Sequence, residues 1–361
     1  MGLRLGVLGT GRMASTMMGA VASLPALTVA GVASPSGGVE RAQSFAASFG
    51  IGHAYGDVES LLARDDIDIV YIATETSSHA RLSLAALEAG KSVLCEKPFA
   101  SSFTEARSVV EAARRSKNLF MEAVWTLLLP AYGQAEEIVG SGRIGRPAHL
   151  TASFGYPVPR SGAQVARGGV LLDRAVYPVS LAVKLLGPVQ SVVAATIIGE
   201  EGQEDAHASL QLVHASGAHS QLAVSAAVLL SNTAVISGSE GSVTLEAPLL
   251  GSEWITIRRS MGASQAGAVG TPPFKQRLKM RLRSVPLARR VQQRLFDGRR
   301  EHQSYGGSQY RPLLDHFVAL VESGTKESGV VPLDLSLEVA RVIDQARTIG
   351  NSSRAQSELM P

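Results

Sequence analysis

The alternation of short apolar runs with helical stretches over the first 122 residues constrains the fold more than any other feature. Residues 3–8 are an apolar run typical of a buried strand, and residues 12–24 have helical periodicity. Residues 68–73 form the strongest predicted strand, because they combine β-branched and aromatic side chains without Gly or Pro. Such alternation predicts right-handed crossovers and a parallel, doubly wound sheet. The other predicted strands are residues 27–33, 53–55, 92–95 and 119–122, and the other helices are residues 39–49, 77–89 and 102–116.

The pattern changes after residue 122, where long apolar strands dominate. The change predicts an α/β protein with a doubly wound parallel domain over residues 1–122 and an α+β domain over residues 123–350, built on a large, mostly antiparallel sheet. Residues 351–361 are expected to form a frayed tail. The second-domain strands are predicted at residues 149–154, 189–198, 208–214, 219–228, 233–237, 242–245 and 254–258, and the helices at residues 132–141, 171–186, 310–322 and 334–348.

Composition excludes several classes of protein. Of the 361 residues, 45% are hydrophobic and 18% are charged, which is typical of a globular chain and excludes intrinsic disorder. The net charge of +3 is too small to indicate nucleic-acid binding by the whole chain. The single cysteine excludes a disulfide framework and fits a reducing, cytoplasmic location. No targeting segment is expected, and the histidines lack metal-binding spacing, so no metal is predicted.

Two segments have unusual charge. Residues 275–300, inside an insertion at about residues 262–303, contain ten Lys and Arg against one Asp. This basic segment is interpreted either as a solvated helix or as a contact for an anionic partner or a membrane surface. Residues 205–240 enclose a long uncharged stretch, but polar residues recur through it, which favours sheet strands over a transmembrane segment.

A glycine turn joins the first strand to the first helix. Residues 9–14 read G-x-G-x-x-A, which in this strand–turn–helix context predicts a Rossmann domain that binds a dinucleotide. The first glycine permits the tight turn, the second lets pyrophosphate approach the backbone, and the helix start offers free N–H groups to the phosphates. A glycine turn with only a packing role is the alternative. The predicted cofactor contacts in this turn are Gly9, Thr10, Gly11, Arg12 and Met13.

The end of the second strand predicts which dinucleotide binds. NAD enzymes usually have an Asp or Glu there that binds the ribose 2′-hydroxyl, whereas residues 32–36 contain no acid. An acid would repel a 2′-phosphate, so its absence favours NADP. Arg12 and Arg41 are candidates to pair with that phosphate, and Ser34 to hydrogen-bond it. The alternative is that Ser34 binds a ribose hydroxyl and NAD is also used.

Several motifs in order along the chain resemble one family. Residues 90–98, GKSVLCEKP, resemble the G-K-x-V-x-x-E-K-P signature of the Gfo/Idh/MocA oxidoreductases. Residues 121–126, MEAVWT, and residues 168–178, GGVLLDRAVYP, are similar to segments of its dihydrodiol dehydrogenase and D-xylose dehydrogenase branch. Residues 238–242 and 331–337 resemble later landmarks of that branch.

The resemblance implies a nicotinamide enzyme that acts on a sugar, polyol or diol, and a homodimer formed through the second domain. It implies that Lys97, Asp173 and Tyr177 are catalytic and that a cis peptide precedes Pro98. Glu96 is interpreted mainly as a structural hydrogen-bonding group, and His79 either lines the nicotinamide pocket or caps a helix. The cofactor contacts expected around this motif are Thr74, His79, Glu96 and Lys97.

Elementary chemistry agrees with this catalytic set. Hydride transfer to a carbonyl leaves alkoxide charge, which needs a proton donor. Tyr177 can donate if a nearby cation such as Lys97 lowers its pKa, and which of the two gives the proton directly is left open. Asp173 and Tyr177 are four residues apart on the predicted helix, so they lie on one face and Asp173 can orient the site.

Aromatic residues are candidates for an apolar substrate wall, with core packing as the alternative; these are Trp125, Phe154 and Trp254. The chain departs from the family pattern at Glu75, Leu127 and Ala175, where proline, arginine and glycine are usual. None of these changes removes a reacting group, but they make the substrate hard to infer from the family. A cofactor-binding regulator or scaffold without turnover is the alternative function.

Overall fold

The first sheet has six parallel strands in the order β3-β2-β1-β4-β5-β6, as seen in a computed structural model that describes residues 2–158, 168–199, 205–260 and 298–357. This order defines the doubly wound Rossmann arrangement, in which ligands bind at the carboxyl ends of the strands. The strands are β1 (Leu3–Leu8), β2 (Leu27–Ala33), β3 (Ala54–Tyr55), β4 (Ile69–Ile72), β5 (Ser92–Cys95) and β6 (Phe120–Glu122). The helices are α1 (Arg12–Val21), α2 (Gly38–Phe49), α3 (Val58–Leu62), α4 (Thr76–Glu88) and α5 (Phe103–Arg115).

The second sheet has eight strands in the order β14-β13-β12-β11-β7-β10-β9-β8. Only the β7–β10 neighbours run parallel, which confirms the predicted mostly antiparallel sheet. Its strands are β7 (Pro147–Gly155), β8 (Val189–Gly199), β9 (Asp205–His214), β10 (His219–Ser225), β11 (Ala234–Gly238), β12 (Gly241–Leu245), β13 (Trp254–Arg259) and β14 (Arg299–His302).

The uncharged stretch at residues 205–240 lies on three of these strands, β9, β10 and β11. The alternation of buried and exposed side chains along β9 and β10 matches a sheet with one covered face. In the described ranges, no helix combines the length and the apolar character needed to cross a bilayer.

In the described part of the chain, five helices accompany the second sheet, and two predictions about them were wrong. They are α6 (Pro130–Gly140), α7 (Gly169–Arg174), α8 (Val176–Leu186), α9 (Arg311–Glu322) and α10 (Leu333–Ser357). The single helix predicted at residues 171–186 is divided into α7 and α8, which meet at Ala175. Helix α10 continues to Ser357, past the predicted helix end at residue 348. A short 3-10 helix at Trp125–Leu128 has too few residues to give a periodic signal.

The basic segment lies mostly outside the described residues. Only its last residues, from 298 onward, are described, and Arg299 and Arg300 belong to strand β14 rather than to a helix. Arg300 pairs with Glu246 through Nη2 and Oε2 at 2.6 Å. The two interpretations of residues 275–297 stay predictions.

Helix α10 links the two sheets. It packs against β8 and α8, which belong with the second sheet, and also against α5 beside the first sheet. Asp344 of α10 accepts a hydrogen bond from the Phe103 N–H at 2.6 Å, and Asp334 contacts Arg114 at 2.5 Å. A continuous buried cluster runs from Val7 and Met121 to Tyr132 and Leu150, so the sheets share a core where they meet.

Candidate active site

A cavity of about 1150 Å³ lies where the carboxyl ends of β1, β4 and β5 face the second sheet. Both parts of the chain line it, as the sequence predicted for the catalytic cleft. The predicted residues on its wall are Arg12, Met13, Thr74, His79, Glu96, Lys97, Trp125, Phe154, Asp173 and Tyr177. Four lining residues that sequence reasoning missed are Tyr156, Arg174, Asn232 and Tyr310.

Lys97, Asp173 and Tyr177 come together at this cavity. Lys97 follows β5, Asp173 lies near the end of α7, and Tyr177 lies in the first turn of α8. Lys97 Nζ donates to Asp173 Oδ1 at 2.7 Å and to the Asp173 carbonyl oxygen at 2.8 Å. The same Nζ lies 4.9 Å from the centroid of the Tyr177 ring. An ammonium, a carboxylate and a phenol from three separate elements therefore share one site.

The electrostatics of the trio differ from the prediction. Burial raises the pKa of Tyr177 well above its ordinary value, and the Lys97 ammonium offsets this only in part. The expected lowering of the Tyr177 pKa by Lys97 is thus present but smaller than the rise caused by burial. Burial disfavours the charged form of Lys97, but attraction to Tyr177, Asp173 and Glu96 outweighs it and raises the Lys97 pKa. At neutral pH the site thus contains an ammonium beside a protonated phenol.

Trp125 contributes more than an apolar wall. It is buried on the 3-10 helix, and its indole Nε1–H donates to Tyr177 Oη at 3.3 Å. Its ring also packs edge-on against Tyr177 and, with a centroid distance of 5.1 Å, against Tyr310. Because the indole N–H occupies a lone pair of Oη, the Tyr177 proton must point in another direction.

The other two predicted wall residues have different positions. Phe154 lines the cavity, with its ring centroid 5.9 Å from that of Tyr177. Trp254 lies on β13 away from the cavity lining and is 37% exposed. Its ring packs against His302 at 4.6 Å and beneath the Arg300 guanidinium at 4.1 Å. Trp254 was predicted from ring chemistry alone, and the register of β13 carries it to another surface.

The glycine turn fits a dinucleotide pyrophosphate. Gly9 has a φ of +111°, and a Cβ added there would overlap the Ala73 carbonyl oxygen. Gly11 is the N-cap of α1 and supplies no side-chain cap, and an added Cβ would meet no protein atom within 4 Å. The N–H groups of the first turn of α1 therefore face open space, which is where a helix start binds phosphate.

The predicted ribose-reading residues are neighbours. Ser34 follows β2, and its Oγ lies 3.1 Å from Thr10 Oγ1. A Cβ added at Gly37 would overlap the Arg41 side chain and come within 2.8 Å of Ser34 Oγ. Thr10, Ser34 and Arg41 are thus neighbours beyond the end of β2. None of the three is acidic, so none would repel a 2′-phosphate.

A buried hydrogen-bond network supports the loop after β5. The ring nitrogens of His79 lie 2.8 Å from the Pro98 carbonyl oxygen and 3.1 Å from that of Thr74. Burial lowers the pKa of His79, which favours the neutral ring. Glu96 accepts a 2.6 Å bond from the Tyr71 hydroxyl, and the Lys97–Pro98 peptide is cis. His79 therefore both lines the cavity and joins the β4 and β5 loops.

Glu122 is a buried acid that sequence reasoning passed over. It ends β6 and is 3% exposed; its Oε1 accepts the Phe99 N–H at 3.2 Å, and the Ser336 side chain lies beside the carboxyl. Burial raises its pKa from 4.5 to about 7. The sequence feature that could have revealed this buried acid is a single carboxyl residue at the end of an otherwise apolar strand.

We expect Glu122 to make the protein less stable as the pH rises. A carboxyl with a raised folded-state pKa binds more protons folded than unfolded, so stability falls between pH 4.5 and about 7, by about 3 kcal/mol. Urea unfolding at pH 5 and pH 8 should show this fall in the wild type and a much smaller one in Glu122→Gln. Glu88→Gln, at an exposed site, is the control, and parallel curves for the wild type and Glu122→Gln would contradict the assignment.

Comparisons with known proteins agree with this geometry. Residues 3–124 match the oxidoreductase family with an NAD-binding Rossmann fold, GFO/IDH/MocA, and residues 132–244 match the GFO/IDH/MocA C-terminal domain. Trans-1,2-dihydrobenzene-1,2-diol dehydrogenase of Mus musculus is 33% identical over 251 residues, which are 68% of this chain and 75% of that protein. The Homo sapiens protein of the same name is 29% identical over 353 residues, 96% of each chain.

Solved structures agree as well. A 3-ketoreductase from Actinomadura kijaniata, in complex with NADP and TDP-benzene, has a TM-score of 0.77 at 25% identity and covers 97% of this chain and 98% of its own. Levoglucosan dehydrogenase in complex with NADH has a TM-score of 0.78 at 21% identity over 98% of each chain, a likeness of fold. The chain belongs to the GFO/IDH/MocA oxidoreductase family. The predicted family, fold class and enzyme class are confirmed.

Proposed function

We propose that this protein is an NADP-preferring dehydrogenase or reductase that interconverts a secondary alcohol and a carbonyl in a sugar, polyol or cyclic diol. The supporting observation is the 2.7 Å bond between Lys97 Nζ and Asp173, formed beside Tyr177 across the junction of two sheets. The name of the curated relatives, trans-1,2-dihydrobenzene-1,2-diol dehydrogenase, and that of the 3-ketoreductase with bound NADP support a reaction between an alcohol and a carbonyl.

Each member of the trio has a distinct task in this proposal. The nicotinamide, when bound, donates or accepts the hydride. Tyr177 gives its proton to the oxygen that becomes negative, because burial keeps the phenol protonated. Lys97 stabilises that negative charge, and Asp173 fixes the ammonium by two contacts. Trp125 directs the Tyr177 proton by occupying the other side of Oη.

A residue set outside the trio would hold the cofactor. The turn at Gly9 and Gly11 with the start of α1 fits the pyrophosphate, and Arg12, Met13, Thr74, His79 and Glu96 line the adjoining wall. Thr10, Ser34 and Arg41 would read the adenosine ribose and its 2′-phosphate. The boundary between the two domains is placed near residue 122, where β6 ends.

The test of the function is a substrate panel read by absorbance of the reduced cofactor. Aldoses, polyols and trans-dihydrodiols should be offered with NADP and with NAD to the full-length protein. Turnover of at least one substrate class with NADP is the expected result. Tight NADP binding without any turnover would instead support a cofactor-binding regulator on the same fold.

We expect Arg41→Ala to weaken NADP binding about 10- to 100-fold, because a charge-assisted bond to the 2′-phosphate would be lost. NAD lacks that phosphate, so its Kd should change little in the same variant. Calorimetric titration of both cofactors measures the difference, and Arg107→Ala on the exposed face of α5 is the control. Equal losses for NADP and NAD would contradict the role given to Arg41.

We also propose that the protein forms a homodimer through the open face of the second sheet. We propose further that it is located in the cytoplasm. Uncharged side chains face each other across four of its strands, in the row Gln211, Gln221, Thr151 and Val235. The buried free thiol of Cys95 supports a reducing compartment. Light scattering should give twice the chain mass, and Gln221→Arg should give the monomer; a monomeric wild type would refute the dimer.

A further inference from the structure

Arg174 is a buried cation on the cavity wall that the function proposed above does not use. It follows Asp173 at the end of α7 and is 5% exposed. Its Nη1 donates to the carbonyl oxygens of Tyr156, at 3.1 Å, and of Ser225. The guanidinium carbon lies 4.5 Å from the Tyr156 ring centroid and 5.5 Å from that of Phe154. The surrounding strands therefore hold the side chain in one position.

The charge of Arg174 has no counter-ion among the described residues. Across the described ranges, no carboxylate comes within 4 Å of its guanidinium. Carbonyl oxygens and aromatic faces relieve part of the desolvation cost, but a buried charge is normally paired with an opposite one. The neighbouring cation on the wall, Lys97, is already neutralised by Asp173. The Arg174 guanidinium thus contributes about one positive charge, not neutralised by a described carboxylate, to the side of the cavity where the substrate would bind.

One edge of the guanidinium remains available. Both hydrogen bonds use Nη1, which leaves Nε–H and Nη2–H, the pair that binds a carboxylate side-on through two parallel bonds. Arg174 lines the cavity, and neither of these nitrogens donates to a described residue. The Arg174 side chain therefore presents two N–H donors in a fixed orientation to a ligand that enters the cavity.

We propose that Arg174 binds a carboxylate of the substrate, which makes the preferred substrate a sugar acid rather than a neutral sugar. A single uncompensated charge matches a carboxylate, whereas a phosphate monoester would bring nearly twice that charge. The inference rests on the proposed function and narrows its substrate class. Since Arg174 directly follows Asp173, the carboxylate would anchor the substrate within reach of Lys97 and Tyr177.

The experiment compares matched pairs that differ only at C6: D-glucuronate with D-glucose, and D-galacturonate with D-galactose, each with the NADP-loaded protein. We expect kcat/KM to favour at least one acid over its neutral partner by tenfold or more. Arg174→Met should reduce that ratio to about one, chiefly through a higher KM, and Arg174→Lys should give an intermediate ratio because it keeps the charge without the fork. Arg146→Met, at an exposed site, is the control.

Calorimetric binding of the same four sugars separates this inference from the proposed function. Binding of an acid that depends on Arg174, without turnover, supports the inference and refutes the dehydrogenase. Turnover of neutral sugars with no preference for either acid, in the wild type, overturns the inference and leaves the dehydrogenase standing. Failure of both acids to bind at millimolar concentration also overturns it. The comparison of sugar acids with neutral sugars in the wild type tests the inference even if Arg174→Met does not fold.

Discussion

Tyr177→Phe is expected to lower kcat by about 10²- to 10⁴-fold, the range that general acid–base groups contribute. The substitution removes only the hydroxyl, so the ring contacts with Trp125, Phe154 and Lys97 remain. NADP affinity should stay within about twofold, since no cofactor contact is assigned to Tyr177. Steady-state kinetics and calorimetric titration on the same preparation measure both quantities.

The pH profile gives an independent check on Tyr177. Because burial raises its pKa, the phenol stays protonated through neutral pH, and the wild-type rate of carbonyl reduction should be flat there. Tyr55→Phe is the matched control, since it removes a hydroxyl that bonds to Arg64 at 2.8 Å, and Tyr55 does not line the cavity. Wild-type kcat in Tyr177→Phe would rule out the phenol as the proton donor.

Lys97→Met is the second substitution with a large expected effect. It removes the ammonium that would stabilise the developing negative charge, and a loss of about 10³-fold in kcat is expected. It also leaves Asp173 without its partner in a largely enclosed site, where the Lys97 side chain is 13% and the Asp173 side chain 27% exposed. Breaking such a pair costs about 3 kcal/mol.

A double variant separates the two consequences of losing Lys97. Lys97→Met with Asp173→Asn removes both charges, so it should recover part of the stability lost in Lys97→Met while kcat stays low. Urea unfolding and kcat, measured for the wild type, both single variants and the double variant, complete the cycle. If kcat recovered along with stability, Lys97 would be a structural residue rather than a catalytic one.

Local features of the site could be predicted from the sequence. The turn at Gly9 and Gly11 is read from six consecutive residues, and its geometry depends on one strand and one helix. The meeting of Lys97 with Tyr177 was predicted from the family resemblance. The position of Lys97 after the parallel strand β5 agrees with it, because the carboxyl ends of such strands face the ligand cleft. In a doubly wound sheet, a residue that directly follows a strand is therefore expected at the edge of the sheet where ligands bind.

Features that depend on distant packing could not be predicted. Tyr310 reaches Trp125 from a helix more than 180 residues later, and no local pattern records that contact. The break at Ala175 is invisible to periodicity because nearly all residues of α7 and α8 are buried, so neither helix has one apolar and one polar face. The buried state of Arg174 depends on carbonyl groups of β10 and of the residue after β7, and no local sequence pattern records those contacts.

The bond between Lys97 and Asp173 joins residues from opposite sides of the junction between the sheets. Lys97 and Asp173 can form this bond only while the first sheet and the second sheet, with their helices, are packed against each other. The shared buried core and helix α10 hold these two parts together, so the same contacts that stabilise the fold also keep the ammonium next to its carboxylate. The proposed chemistry therefore depends on the assembled junction and not on either sheet alone.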